Sequence, residues 1–342
     1  MKSVRMNLFR SNTSFLLESG AVLPGIEISY YTFGTLNKDA DNVVWICHAL
    51  TANADVTEWW KGFVGEKCVI DPEKYFIVCA NILGSCYGSS GPLSINPITH
   101  TPYFNQFPAI TIRDMVRAHV LLSNHLGIGK IRLLVGGSMG GYQAMEWAIM
   151  ESQRIDQLFL LATSAKESAW GKAIHTAQRL AIEADPTWDE HSVDAGKKGL
   201  KAARAIGMLT YRNYGIMVRT QSDDDIDKLD DYKAASYINY QGNKLSERFN
   251  AISYWLLTKA LDTHQISRGR GGIIEDVLKK MPQPTLIVGI SSDILCPVSE
   301  QEFLAENMPN ATLAVIDSIY GHDGFLVEVE KISAHLKKWL EQ

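Results

Sequence analysis

A serine hydroxyl is a poor nucleophile until a base takes its proton, and an imidazole does this best when an acid fixes its tautomer. Residues 131–141 read Ile-Arg-Leu-Leu-Val-Gly-Gly-Ser-Met-Gly-Gly, an apolar run entering Gly136-x-Ser138-x-Gly140. A helical pattern follows at once (Tyr142, Gln143, Ala144, Met145, Glu146, Trp147, Ala148). This context predicts a nucleophile elbow, a strand-to-helix turn so tight that only glycine fits beside the serine. Downstream, the apolar run Pro284 to Ile290 leads into Ser291-Ser292-Asp293, and the run Thr312 to Ile316 leads to Tyr320-Gly-His322-Asp323-Gly-Phe325. Of nine histidines only His322 and His335 follow Asp293, and His335 lies within an amphipathic terminal helix (Ile332, Leu336, Leu340). Ser138 as nucleophile, Asp293 as orienting acid and His322 as base give the chain order Ser, Asp, His. The competing readings are a helix N-cap ahead of Pro297 for Asp293 and an ordinary loop position for His322.

Attack on a carbonyl also needs donors for the oxyanion. One is expected from the backbone N–H of Met139, the residue after the nucleophile, at a helix N-terminus. The other is assigned to the N–H of Leu50, with its neighbours in the same turn as close competitors, in His48-Ala-Leu-Thr51 at the end of the strand from Val43. The five cysteines show no Cys-x-x-Cys spacing, and their odd number and apolar settings favour reduced thiols in a cytoplasmic protein. With a serine so placed, none of them is needed as a nucleophile.

The elements that must position these residues are short apolar runs alternating with helical segments. Val43 to Leu50, Tyr75 to Leu83, Ile131 to Gly136, Ile155 to Ala162, Pro284 to Ile290 and Thr312 to Ile316 read as buried strands, and Thr111 to Leu126 as a helix ending at Gly127. Strands apolar on both faces and alternating with helices imply an α/β fold with a mostly parallel sheet covered on both sides. Ile26 to Tyr31 alternates more and reads as an antiparallel edge. Residues 1–163 and 282–342 form the predicted core. Residues 164–281 break the pattern: helices are expected over Ile174 to Ala184, Ala195 to Met208 and Ala251 to Leu261, with no convincing strand. This stretch reads as a helical lid over the carboxyl ends of the strands, where ligands bind. Its acidic run Asp223-Asp224-Asp225 reads as a solvated helix end and its Arg268-Gly-Arg-Gly-Gly272 as a connector.

The bulk numbers exclude several classes. With 342 residues, 46% hydrophobic, the chain can bury a large core, and a net charge of −5 argues against nucleic acid or an anionic membrane as partner. No apolar run is long enough to span a bilayer, and Met1 to Asn12, with Lys2, Arg5 and Arg10, lacks the apolar stretch of a signal peptide.

Further stretches carry a resemblance: His48-Ala-Leu-Thr51, Trp59-Trp60, Asn81-Ile-Leu-Gly-Ser-Cys-Tyr-Gly-Ser-Ser-Gly-Pro92, Ser94-Ile-Asn-Pro97 and Phe107-Pro-x-Ile-Thr-Ile-Arg-Asp-Met115. Gly136-Gly-Ser-Met-Gly-Gly141, Ala203-Arg-x-x-Gly-x-x-Thr-Tyr211, Arg248-Phe249 and Gly321-His-Asp323 complete it. In these, nearly along its whole length, the chain resembles the homoserine O-acetyltransferases of the α/β-hydrolase superfamily. Residues 168–178 and 213–247 match the family pattern loosely. The resemblance implies an α/β-hydrolase fold and acetyl transfer from acetyl-CoA to the hydroxyl of L-homoserine, for methionine synthesis. It also implies a homodimer and no bound cofactor or metal. A zwitterionic acceptor needs a cation and an anion: Arg204 matches the family's substrate arginine, and Asp323 faces the ammonium. Trp59 and Trp60 read as packing under the pocket mouth. The alternatives are succinyl transfer, an L-serine acceptor, a plain esterase, and a catalytically silent binding protein.

Overall fold

The computed structural model describes residues 6–342; Lys2 and Arg5 of the N-terminal segment lie outside the described residues. Eight strands form one sheet in the order Asn7–Ser11, Ile26–Phe33, Phe76–Ala80, Val43–Cys47, Ile131–Gly137, Leu158–Leu161, Thr285–Ile290 and Ala311–Ile316. The first two junctions are antiparallel. The remaining five are parallel. Each of the six apolar runs thus contains a strand of this mostly parallel α/β sheet.

One expectation needs correction. The Ile26 strand is antiparallel but second from the edge, because Asn7–Ser11 pairs outside it. Asn-Leu-Phe-Arg-Ser buries only Phe9 and ties Arg10 Nε to Glu27 Oε1 across the ladder at 2.6 Å. Five residues with one buried side chain make too short a pattern to read as a strand in advance.

Consecutive residues of the central strands enter opposite cores, which is why their sequences lack alternation. In Val43–Cys47, Val43, Trp45 and Cys47 pack with one core, and Val44 and Ile46 with the other. The first core is closed by the helices Ile112–His125 and Met139–Met150, the second by Val329–Leu340 through Ile332 and Leu336. Ile112–His125 begins at a reciprocal cap: Asp114 N–H donates to the Thr111 hydroxyl, and Thr111 N–H to the Asp114 carboxylate at 3.0 Å.

Between Leu158–Leu161 and Thr285–Ile290, residues 164–281 are helical, with no ladder strand among the described residues. Ala169–Glu183, Lys197–Tyr211 and Ala251–Asp262 correspond to the three expected helices, with Tyr214–Gln221 and Lys233–Ser246 in addition. These two bury few side chains, Ile216 in one and Leu245 in the other, so their apolar stripes are faint in sequence. The acidic run lies between them, where the Asp223 carboxylate accepts from Lys228 Nζ at 2.7 Å. Ala169–Glu183 and Lys197–Tyr211 approach closely at Gly199, where a Cβ would stand 2.5 Å from Ile182 Cα. That contact fixes the helix carrying Arg204.

Candidate active site

The loops at the carboxyl ends of the parallel strands converge on one place. Ser138 follows Ile131–Gly137 directly, in a strained backbone conformation (φ 54°, ψ −126°), and the helix Met139–Met150 starts behind it. The flanking glycines are required by proximity: a Cβ on Gly140 would lie 2.0 Å from the Cys47 carbonyl oxygen, and one on Gly136 2.1 Å from that of Gly140.

His322 reaches this hydroxyl from the loop after Ala311–Ile316, its Nε2 2.8 Å from Ser138 Oγ. Its Nδ1 lies 2.6 Å from Asp293 Oδ2, on the loop after Thr285–Ile290. A carboxylate has no proton to give, so Nδ1 carries the hydrogen and Nε2 is left to accept from the serine. Burial alone disfavours the charged imidazole, yet Asp293 outweighs it and the pKa of His322 is raised. Asp293 Oδ1 is occupied separately, accepting the N–H groups of Leu295 and Cys296, each at 2.8 Å. The helix Val298–Asn307 is preceded by Pro297 and not by Asp293, so the aspartate orders its own loop instead of capping that helix. Such a Ser–His–Asp relay can attack a carbonyl and hand the proton to a leaving group.

Ser138 and His322 open on a cavity of about 110 Å³ whose wall also includes Leu50, Met139, Arg204 and Asp323. Met139 opens its helix, so its N–H has no acceptor four residues back. Leu50 sits in the turn after Val43–Cys47, which is pinned from three sides. Gln143 Nε2 donates to His48 O at 3.1 Å, Arg248 Nη1 to Thr51 O at 2.7 Å, and Ala54 N–H to Asn81 Oδ1 at 2.9 Å. Residues 81–97 therefore brace the turn and contribute no side chain to the cavity wall.

Arg204 comes from the helix Lys197–Tyr211, its guanidinium carbon 5.1 Å from the centre of the Tyr211 ring. Its Nε is buried without a hydrogen-bond partner, leaving capacity to meet a carboxylate. Asp323 stands 3.1 Å from Arg212 Nε, close enough for an ion pair though not in hydrogen-bond alignment. Burial raises the Asp323 pKa, partly offset by Arg212, Arg204 and His322.

Among the wall residues that sequence reasoning missed are Glu167, His175, Tyr211 and Cys296. Tyr211 was findable, since it lies seven residues after Arg204 and so on the same helix face. Glu167 and His175 carry no motif. Cys296 is buried, which pushes its thiol well above the ordinary range and argues against a thiolate. Trp59 and Trp60 stack on each other at 5.3 Å, Trp60 on Phe63 at 4.3 Å, and neither lines the cavity.

Comparison with known proteins places this geometry. The α/β hydrolase fold family model matches residues 42–329. A homoserine O-acetyltransferase from Cyclobacterium marinum is 46% identical over 332 residues, covering 97% of this chain and 94% of that one. The crystal structure of a homoserine O-acetyltransferase from Bacillus anthracis superposes with a TM-score of 0.91 at 23% identity, over 100% of this chain and 99% of that one. An acetylester hydrolase from Corynebacterium glutamicum superposes with a TM-score of 0.87 at 23% identity, over 99% and 96% of the two chains. The structural likenesses show the fold, which transferases and hydrolases share. The sequence identity is the finer evidence, and by it the chain belongs to the homoserine O-acetyltransferase family of α/β-hydrolase-fold proteins.

Proposed function

We propose that this chain is an acyltransferase that moves an acetyl group from acetyl-CoA to the side-chain hydroxyl of L-homoserine through an acyl-serine. The observation that carries the reading is one small cavity holding both the Ser138–His322–Asp293 relay and the Arg204 guanidinium. His322 takes the proton of Ser138 as the oxygen attacks the thioester carbonyl, while Asp293 steadies the imidazolium. The Leu50 and Met139 N–H groups receive the oxyanion. The tetrahedral adduct collapses, the coenzyme A sulfur leaves with the proton from His322, and acetyl rests on Ser138. The homoserine hydroxyl then gives its proton to His322 and attacks the acyl-serine, which releases the product and restores the serine.

Water competes for the acyl-serine. Residues 164–281 supply Glu167, His175, Arg204, Tyr211 and Leu261 to the cavity wall, which fits a lid that limits solvent. Arg204 holds the acceptor carboxylate and Asp323 its ammonium, a positioning that in favourable cases is worth roughly 7–11 kcal/mol. A plain esterase has no use for this pair, and a silent binding protein none for an intact relay.

The same reading takes the enzyme to be a cytoplasmic homodimer for methionine synthesis that needs no bound cofactor or metal. Five free cysteines fit a reducing compartment, and no described helix is long and apolar enough to cross a membrane. The lid helices expose Leu209, Tyr214, Val218 and Tyr240, a surface suited to a second copy.

The test is a thiol-release assay crossing acetyl- and succinyl-CoA with homoserine and serine, with initial rates taken against both substrates. Acetyl-CoA with homoserine should be fastest, and its double-reciprocal lines parallel. Thiol release indifferent to any amino acid would point to a hydrolase.

A further inference from the structure

Glu167 lies on the loop after Leu158–Leu161, 8% exposed, and its carboxylate faces the cavity. Oε2 accepts from the Tyr142 hydroxyl at 3.2 Å and Oε1 from the Ser168 N–H at 2.9 Å. Tyr142 stands one turn along the helix that Ser138 opens, so the carboxylate is tied to the nucleophile's own support. Among the described residues no Lys, Arg or His nitrogen forms an ion pair with it. Burial raises its pKa, and the nearby His175 draws it back.

Every other carboxylate close to the cavity has a nitrogen partner. Asp262 is answered by Arg179 at 2.7 Å and His175 at 2.8 Å, Asp323 by Arg212 at 3.1 Å, and Asp293 by His322 at 2.6 Å. That leaves Glu167 as the wall carboxylate without an ion pair among the described residues, in a cavity of about 110 Å³. An uncharged acyl group and a zwitterion bring no net charge beside it. An acyl group ending in a carboxylate adds a second buried anion, in a space too small to hold it far from Glu167.

We propose that Glu167 selects the acyl donor: its carboxylate admits an uncharged acyl group such as acetyl and rejects one that ends in a carboxylate, such as succinyl. This rests on the acyltransferase reading. The substitution Glu167→Gln keeps the volume, an acceptor for the Ser168 N–H and an NH₂ that can donate to the Tyr142 hydroxyl oxygen while removing the charge, and it leaves Arg204 free to meet a donor carboxylate.

The experiment measures thiol release and acyl-enzyme mass with acetyl-CoA or succinyl-CoA in the absence of acceptor, for the wild type, Glu167→Gln and Glu167→Asp. The wild type should prefer acetyl-CoA. Glu167→Gln should raise the succinyl-to-acetyl ratio by about 10- to 100-fold, the effect of one unit charge a few ångströms away. Glu167→Asp should hold the wild-type preference. A ratio unmoved in Glu167→Gln overturns the proposal, as does a homoserine KM that rises while the ratio stays fixed, which would put Glu167 on the acceptor's ammonium. Wild type that accepts both donors equally overturns it without any variant. Failure of acetyl-CoA to acylate the wild type at all would instead count against the underlying reading.

Discussion

Replacing Asp293 by Asn removes one charge and little volume. The 2.6 Å contact from Oδ2 to His322 Nδ1 places the two charge centres about 4 Å apart, where unit charges at an effective dielectric of about 20 interact by about 4 kcal/mol. The imidazolium formed during attack loses that support, which is about 10³-fold in the acylation rate. A second loss adds to it. The amide can turn its NH₂ toward Nδ1, which then accepts and leaves the proton on Nε2, facing Ser138 with nothing to take. The amide oxygen still serves the Leu295 and Cys296 N–H groups, so the loop should stay folded. Rapid-mixing measurement of thiol release from acetyl-CoA without acceptor reads the step directly, with matched thermal melts. The pH profile reads it again. Asp293 raises the His322 pKa above its ordinary 6.5, and only the neutral imidazole is a base, so the wild-type rate falls as pH drops through that raised pKa. In Asp293→Asn the inflection should move to lower pH. A folded variant acylating within tenfold of wild type, with its inflection unmoved, would refute the role of this carboxylate.

Arg204→Ala should lower kcat/KM for homoserine by about 10- to 100-fold, the worth of a charge-assisted hydrogen bond or two, and spare single-turnover acylation by acetyl-CoA. Asp323→Asn should do the same with a modest cost to both half-reactions, because it adjoins His322 and its charge supports the imidazolium; single-turnover rates for each half separate the two effects. Gly140→Ala should destabilise the fold by about 1–3 kcal/mol or more through the clash with the Cys47 carbonyl, seen as a lowered melting temperature, and an unchanged melt would count against the tightness of the turn.

What could be read in advance followed local rules. The elbow announces itself because close approach admits only glycine at 136 and 140 and because its strand and helix have different periods. Asp293 and His322 could be located because each follows an apolar run whose end must face the same edge of a parallel sheet. Glu167 escaped for the opposite reason. It lies in a loop without a repeating pattern, and it reaches the cavity only because Leu158–Leu161 pairs beside the elbow strand, a fact of topology. The stretch 81–97 is specific to the family, and its polar residues are spent on bracing, as when Asn81 Nδ2 donates to Ser29 Oγ at 2.9 Å and to Tyr87 O at 3.0 Å. The edge strand Asn7–Ser11 was invisible because five residues with a single buried side chain, Phe9, make too short a pattern to read.

The covalent step is the central claim, and mass spectrometry of the enzyme with acetyl-CoA alone tests it most directly. The wild type should gain one acetyl group on the peptide containing Ser138, Ser138→Ala should gain none while melting normally, and homoserine should discharge the adduct faster than water does. No adduct on the wild type, with converging initial-rate lines, or an adduct on Cys296 in place of Ser138, would contradict it.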